Sequence, residues 1–411
     1  MNKHYTFAIL LLLLPLFTFS QTKQEQKEAF AKRDKYLFAA KPVQKDFMVT
    51  VPYTSDRDQI IVPVVIAGET YHFLWDTGAT TIISSQLKEK LGLNKVFNNK
   101  LSDATGKVQE EDIYNVGTLQ FGGITFTGVV APAVDLSKFE KLFCIKLDGL
   151  LGTNIMRTCN WKIDYGNKIV SFSDKKIKPQ GKVREIKFTE NFSGSPLLTQ
   201  YVGEYNYQSL MDTGYNGGIN MPDSIFFKSR ISKKLHYKKS TGNSAMTIFT
   251  NTPDTEYAVV LDSLHIGDYF IKNQVVKITS GNIPLTGNEF FKNFETVIID
   301  WDKHKIYVPD VVVKEVTELE TFGFTPVFVD GTLAVNLIWD GSAAQKQGME
   351  LGDVITSLNG ANTKNMPQEK WCELLKDFKD EKKLQKTMDL TLLKKDGSEQ
   401  KLSLIEYNVF E

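Results

Sequence analysis

The sequence predicts an all-β protein: two copies of one β-rich lobe in a pseudo-twofold arrangement, then a third β-rich module with short helices. Three observations predict it. The triplet Asp-Thr-Gly occurs twice, in Phe73-Leu-Trp-Asp-Thr-Gly-Ala-Thr80 and in Leu210-Met-Asp-Thr-Gly-Tyr-Asn-Gly217. The surroundings of the two triplets match in order and spacing. After Pro309-Asp310 the pattern changes to short alternating segments punctuated by Gly.

The elements follow in order. Asn2, Lys3 and His4 precede an apolar run from Phe7 to Phe19, then Ser20 and Gln21. This reads as a signal peptide over residues 1–20. The run is shorter than the ~20 apolar residues that a membrane span needs, which disfavours the alternative of a short anchor. No Cys follows it directly, which argues against a lipid anchor there. No later segment is long and apolar enough to span. Residues 21–44 form a polar leader whose Lys/Glu-rich stretch suits a solvent-exposed helix. Mature leader and propeptide both remain open for it.

The first lobe is expected over 45–175. Ile61 to Asp76 reads as two extended segments joined at Gly68, a hairpin whose second strand ends in Asp-Thr-Gly. The second lobe, over 183–310, repeats it from Ser195 to Asp212 with its turn at Gly203. Downstream, Leu150-Leu-Gly-Thr-Asn154 matches Leu285-Thr-Gly-Asn288. Gly152 lies 76 residues after Asp76, and Gly287 lies 75 after Asp212. Each Gly opens a short helical stretch. Asp164-Tyr165 and Asp300-Trp301 then mark hairpin turns. The charged stretch from Ser173 to Lys182 links the lobes.

Charge narrows the function classes. Lys plus Arg number 49 and Asp plus Glu number 49. There is no basic excess to condense on nucleic acid, so no nucleic-acid partner is expected. Three cysteines, Cys144, Cys159 and Cys372, are too few for a disulfide scaffold. A Cys144–Cys159 bridge and buried free thiols remain equally open. Nothing has metal-ligand spacing.

The repeat explains the triplets. On a pseudo-twofold axis Asp76 and Asp212 would face each other. Two adjacent carboxylates cannot both ionise cheaply, so they share a proton as a pair. The ionised member can take a proton from water, and the protonated member can donate to a peptide carbonyl. Gly78 and Gly214 permit the turn after each Asp. Thr77 and Thr213 supply hydroxyls that can bond across the axis and fix the carboxylates. This chemistry needs no metal and no organic cofactor.

These motifs resemble the aspartic peptidases, and within them the retropepsin-like group. Leu74-Trp-Asp-Thr-Gly-Ala-Thr80 and Leu150-Leu-Gly-Thr-Asn154 carry the resemblance, and Leu285-Thr-Gly-Asn288 carries it more weakly. It spans about residues 45 to 310. It implies a β-barrel fold for each lobe, a single chain that supplies both catalytic Asp residues, and peptide or protein substrates; the dyad itself suggests a pH optimum below neutral. It also implies a flap hairpin in each lobe, with Thr105 and Gly106 as one candidate and Thr241 and Gly242 as the other. Tyr215-Asn216-Gly217 departs from the family pattern and puts the support of Asp212 in question. With the N-terminal run, the resemblance implies bacterial export, with periplasm and exterior both open.

The third module, over 316–408, resembles a PDZ domain. The matching residues are Gly341-Ser-Ala-Ala344, Gly348, Leu351-Gly-Asp-Val-Ile355 and Asn359-Gly360. A helix is expected over about 369–378, with strands Thr387 to Leu393 and Gln400 to Ile405. The resemblance places a carboxylate-binding loop at Phe322, Gly323 and Phe324, for the C-terminus of a peptide ligand. A β-rich packing module without a ligand is the alternative. For the whole chain, the rival reading is a peptide-binding scaffold that keeps the cleft without catalysis. A second rival completes the site by pairing two chains.

Overall fold

The two lobes repeat one order of elements, and the repeat extends to strand register. The computed structural model describes residues 23–56, 59–102, 108–228, 231–242, 254–279, 283–377 and 386–411. The apolar run Phe7 to Phe19 and the flap candidates Thr105 and Gly106 lie outside the described residues. Mostly β structure, with a β-barrel, is what the all-β expectation required.

In the first lobe, strands Gln59–Ile66 and Glu69–Trp75 pair as an antiparallel hairpin. Its turn residues Ala67 and Gly68 both have positive φ, 51° and 83°, as a tight turn between twisted strands requires. In the second lobe, Pro196–Val202 and Tyr205–Met211 do the same. Each second strand is then joined in parallel by a short late strand. Leu74 and Trp75 pair with Leu150 and Leu151, and Leu210 and Met211 pair with Leu285 and Thr286. Short helices Thr153–Met156 and Asn288–Phe291 follow Gly152 and Gly287.

The hairpins that close the lobes meet. Trp161 of strand Asn160–Asp164 pairs with Ile299 of strand Thr296–Asp300. Met48–Pro52 and Ile169–Ser173 extend this antiparallel sheet on one side, and Lys305–Pro309 and Val183–Glu190 on the other. Asp164 and Asp300 each accept a turn amide, from Asn167 at 2.9 Å and from Lys303 at 3.0 Å. One hydrophobic core runs through both lobes, with Trp75 and Trp161 among its fully buried side chains. The leader helix Lys23–Tyr36 docks on this body. Phe30 packs edge-on to Phe192, and Leu37, just beyond the helix, is buried with Ile113 and Val130.

The C-terminal domain has its own core around Leu333, Ile355, Trp371 and Leu392. Its helix spans Gln368–Asp377, and its last long strands span Thr387–Leu393 and Glu399–Ile405. Asp353 of the Gly-Asp motif is buried. Its Oδ2 accepts from the Glu350 amide at 2.7 Å and from Lys394 Nζ at 2.6 Å.

The cysteine pairing differs from the sequence expectation. Cys144 bonds to Cys372 across 228 residues and ties the first lobe to the C-terminal domain. Cys159 is a buried free thiol, pushed up to about 12 by burial. The proximity of Cys144 and Cys159 in sequence is no guide, because Cys159 points into the core of the first lobe.

Candidate active site

Asp76 stands where strand Glu69–Trp75 ends, and Asp212 where strand Tyr205–Met211 ends. Each Asp amide donates to the late strand of its own lobe, to Leu151 O and to Thr286 O, both at 3.0 Å. The two carboxyl groups face each other across the axis and interact directly. An added Cβ on Gly78 would sit 2.6 Å from Asp212 Cγ, and one on Gly214 would sit 2.7 Å from Asp76 Cγ. Glycine follows each Thr because the opposite carboxyl occupies the space of a side chain.

The threonines lock the axis. Thr77 Oγ1 donates to Met211 O at 2.7 Å, and Thr213 Oγ1 donates to Trp75 O at 2.9 Å. In return the Thr77 amide donates to Thr213 Oγ1 at 3.0 Å, and the Thr213 amide to Thr77 Oγ1 at 3.1 Å. Both side chains are 0% exposed. Thr213→Val is expected to leave the Thr77 amide and the Trp75 carbonyl buried without partners. The cost is about 1–3 kcal/mol per orphaned group. Thermal unfolding together with peptide cleavage, if any is found, measures it. Thr77→Val should match it, and the double variant should lose less than the sum.

Asp76 is 7% exposed and Asp212 is half-buried. Burial pushes the Asp76 carboxyl above the ordinary carboxylate range, against hydrogen bonds from Gly78, Asp212 and Ala79 that pull it down. Burial pushes Asp212 well above that range. The charge of Asp76 and the hydrogen bond to it add to the rise. The pair therefore holds one shared proton where separate carboxylates would hold none, and the push toward protonation is the stronger on Asp212.

Two glycines set the walls behind the dyad. An added Cβ on Gly152 would run into the backbone of Ala79, Thr80 and Thr81, and one on Gly287 into the carbonyls of Tyr215 and Gly217. Across these contacts Thr153 N donates to Ala79 O and Asn288 N to Tyr215 O, both at 2.9 Å. Asn154 accepts from the Thr81 amide at 2.8 Å, and Asn288 Nδ2 donates to Thr213 O at 2.6 Å.

The atypical Tyr215-Asn216-Gly217 side keeps this frame. Asp212 Oδ1 accepts from the Gly214 amide at 2.8 Å and from the Tyr215 amide at 3.1 Å. The Tyr215 ring lies over Gly217, where a Cβ would strike its hydroxyl, and its OH donates to Asn220 Oδ1 at 3.2 Å. In the first lobe Thr81 Oγ1 accepts from the Gly152 amide; in the second, Gly218 O accepts from the Gly287 amide. Thr286, which replaces the Leu151 of the first copy, is bonded to Ser209 and to Gln200. The weaker match of Leu285-Thr-Gly is thus a polar network with its partners in place.

The described flap candidates do something the sequence did not show. Thr241 and Gly242 end strand Tyr237–Gly242, whose hairpin partner is Asp254–Ile266. The outer edge of that strand pairs with the C-terminal domain, Thr241 with Ile338 and Gly242 with Leu337. Gly242 has φ 122°, and a Cβ there would run into Asn336 O. It is a glycine because the backbone of another domain crosses it. Ala258, Leu337, Trp339 and Val409 bury the same junction.

At the expected carboxylate loop, Gly323 has φ 90°, and a Cβ on it would sit 2.7 Å from Ser342 Cβ. Its amide donates to Thr321 Oγ1 at 3.0 Å, and its carbonyl accepts from the Trp339 amide. Phe322 packs on the domain core, and Phe324 is buried in it.

Residues 62–155 match a family model described as aspartyl protease, and residues 310–389 match one described as PDZ domain. Residues 62–155 thus form an aspartyl protease-type domain and residues 310–389 a PDZ domain. The protease match covers the first lobe, and the repeated frame around Asp212 extends the likeness to the second. Solved structures that match include basic 7S globulin from soybean, at 9% identity and TM-score 0.38, covering 65% of this chain and 97% of that one. An aspartic proteinase from Irpex lacteus matches at 11% identity and TM-score 0.38, covering 66% and 99%. A retropepsin-like aspartic protease from Rickettsia conorii matches at 20% identity and TM-score 0.23, covering 32% and 96%. A search of curated proteins finds no match.

Proposed function

We propose that the chain is an exported aspartic endopeptidase that cuts peptide bonds with water activated between Asp76 and Asp212, its PDZ domain docking peptide or protein partners. The observation that carries the proposal is the facing carboxyl pair, each member held by the matching glycine amide of its own lobe and both fixed by the cross-axis threonines. Asp76, the ionised member, takes a proton from water as it attacks the scissile carbonyl. Asp212, the protonated member, donates to the carbonyl oxygen. Both carboxyls come from one chain, so the site needs no second copy. The apolar N-terminal run and a disulfide of the kind that persists in oxidising compartments support export.

A diverse peptide library incubated with the protein and with Asp76→Asn tests this, with cuts read by mass spectrometry from about pH 3 to 8. The wild type should cut on the acid side of neutral and the variant should not. A wild type that cuts nothing while still binding peptides in the cleft returns the chain to the scaffold reading. Equal cutting by Asp76→Asn removes the dyad from the mechanism.

A further inference from the structure

Residues 135–148 break the symmetry of the two lobes. In the second lobe the matching strands, Tyr269–Thr279 and Leu285–Thr286, are joined by residues 280–284 alone. In the first lobe the longer connection forms helix Ser137–Phe143 and reaches out to the PDZ domain. That helix packs against strand Phe324–Val329, the strand that follows the Phe322-Gly323-Phe324 loop. Lys141 Nζ pairs with Asp330 Oδ1 at 3.0 Å, just past the strand end. The Lys141 carbonyl accepts from Gln368 Nε2, at the first residue of helix Gln368–Asp377. One turn further along that helix, Cys372 is bonded to Cys144. Cys144 also packs on the PDZ core. The segment thus spans the gap between strand 324–329 and helix 368–377, and it is fastened to both.

We propose that residues 137–144 are a built-in cover of the PDZ peptide groove, latched by Cys144–Cys372, and that reduction of the latch opens the groove. The released groove takes a peptide with a Lys or Arg side chain in the place of Lys141, opposite Asp330. This rests on the reading of the PDZ domain as a peptide-docking module. The reductant is a dithiol: its two thiols give up two electrons and two protons and close to a disulfide, while Cys144 and Cys372 become free thiols. The PDZ domain stays in place, because its strand pairing with Ser240–Gly242 and its apolar junction around Trp339 do not involve the latch. The cover is what moves. Phe139 and Ile145 of the same connection pack on the first lobe's apolar cluster of Ile61, Leu74, Ile82 and Leu150, the cluster on which Ala79 also packs.

The test uses the full chain and a fluorescent peptide of residues 135–146 carrying Cys144→Ser. Anisotropy is read with the oxidised protein, with dithiothreitol-reduced protein, and with the Cys144→Ser and Cys372→Ser variants. Amide exchange of residues 324–329 is followed in the same states. Reduction and either variant should tighten probe binding at least about tenfold and speed exchange in that strand. Asp330→Asn in the reduced protein should weaken binding. Unchanged exchange on reduction, with equal binding in both states, overturns the proposal and leaves peptide docking standing. Faster exchange without probe binding in any state supports the cover and overturns the docking reading. Either Cys variant serves should the other fail to fold.

Discussion

Asp212→Asn is expected to slow cleavage by orders of magnitude and, at neutral pH, to make the protein harder to unfold. Burial and the neighbouring Asp76 charge raise the Asp212 carboxyl well above its ordinary range in the folded chain. Unfolded, it titrates near the usual ~3.9. Between these values the native state binds more protons than the unfolded one, so unfolding free energy falls as pH rises through that window. Below the unfolded value both states are protonated and nothing is lost. Asn cannot titrate, so the variant escapes the fall. Its oxygen still accepts from the Gly214 and Tyr215 amides, and its amide can donate to the Asp76 carboxylate. Denaturant titrations at about pH 4 and 7.5 should show the variant level with wild type at the lower pH and ahead at the higher. Loss of the proton donor should cut turnover by roughly 10²–10⁴-fold. A variant that is less stable at neutral pH would mean that the folded pair does not share a proton.

How far the sequence discloses this site depends on the kind of contact. Asp76, Asp212 and their threonines are legible because local spacing repeats. A strand end, a triplet and a glycine some 75 residues on are properties of one lobe, and duplication writes them twice. Gly152 and Gly287 are legible for the same reason, and the structure supplies the cause, backbone of the triplet loop where a Cβ would be. The support of Asp212 is not legible, because the Gly214 and Tyr215 amides hold it as the Gly78 and Ala79 amides hold Asp76, and the Gly218 carbonyl does there what the Thr81 side chain does in the first lobe. Backbone groups leave no trace in residue type. The link from Cys144 to Cys372 and the seat of Gly242 against Asn336 lie between domains. No periodicity within either segment encodes a partner that far along the chain. The six-strand sheet between the lobes falls between these cases. Its hairpins are readable at Asp164 and Asp300, but the pairing of Trp161 with Ile299 follows only once the lobes are set about an axis.

Gly287→Ala tests whether the second wall governs Asp212 through Tyr215. Gly287 has φ −105° and ψ −172°, extended backbone that any residue adopts, so the substitution brings no backbone strain. Its cost is contact. The new Cβ would lie 2.5 Å from Tyr215 O and 2.6 Å from Tyr215 Cδ1, with the Gly217 carbonyl nearer still. Backbone cannot rotate away as a side-chain tip does, so the Tyr215 loop must shift. Overpacking of this kind costs about 1–3 kcal/mol. The consequence for chemistry is specific. Tyr215 donates its amide to Asp212 Oδ1, a bond that lowers the Asp212 carboxyl. Pulling that amide away raises Asp212 further, so the upper limb of the activity–pH profile, where Asp212 loses its proton, should move to higher pH while kcat falls. Gly166→Ala is the control, since its Cβ would meet only Asp164 Oδ1 at an ordinary 3.7 Å. If Gly287→Ala merely lowers the unfolding temperature and leaves the pH profile of wild type in place, the wall is a packing feature and Tyr215 does not set the proton affinity of the dyad.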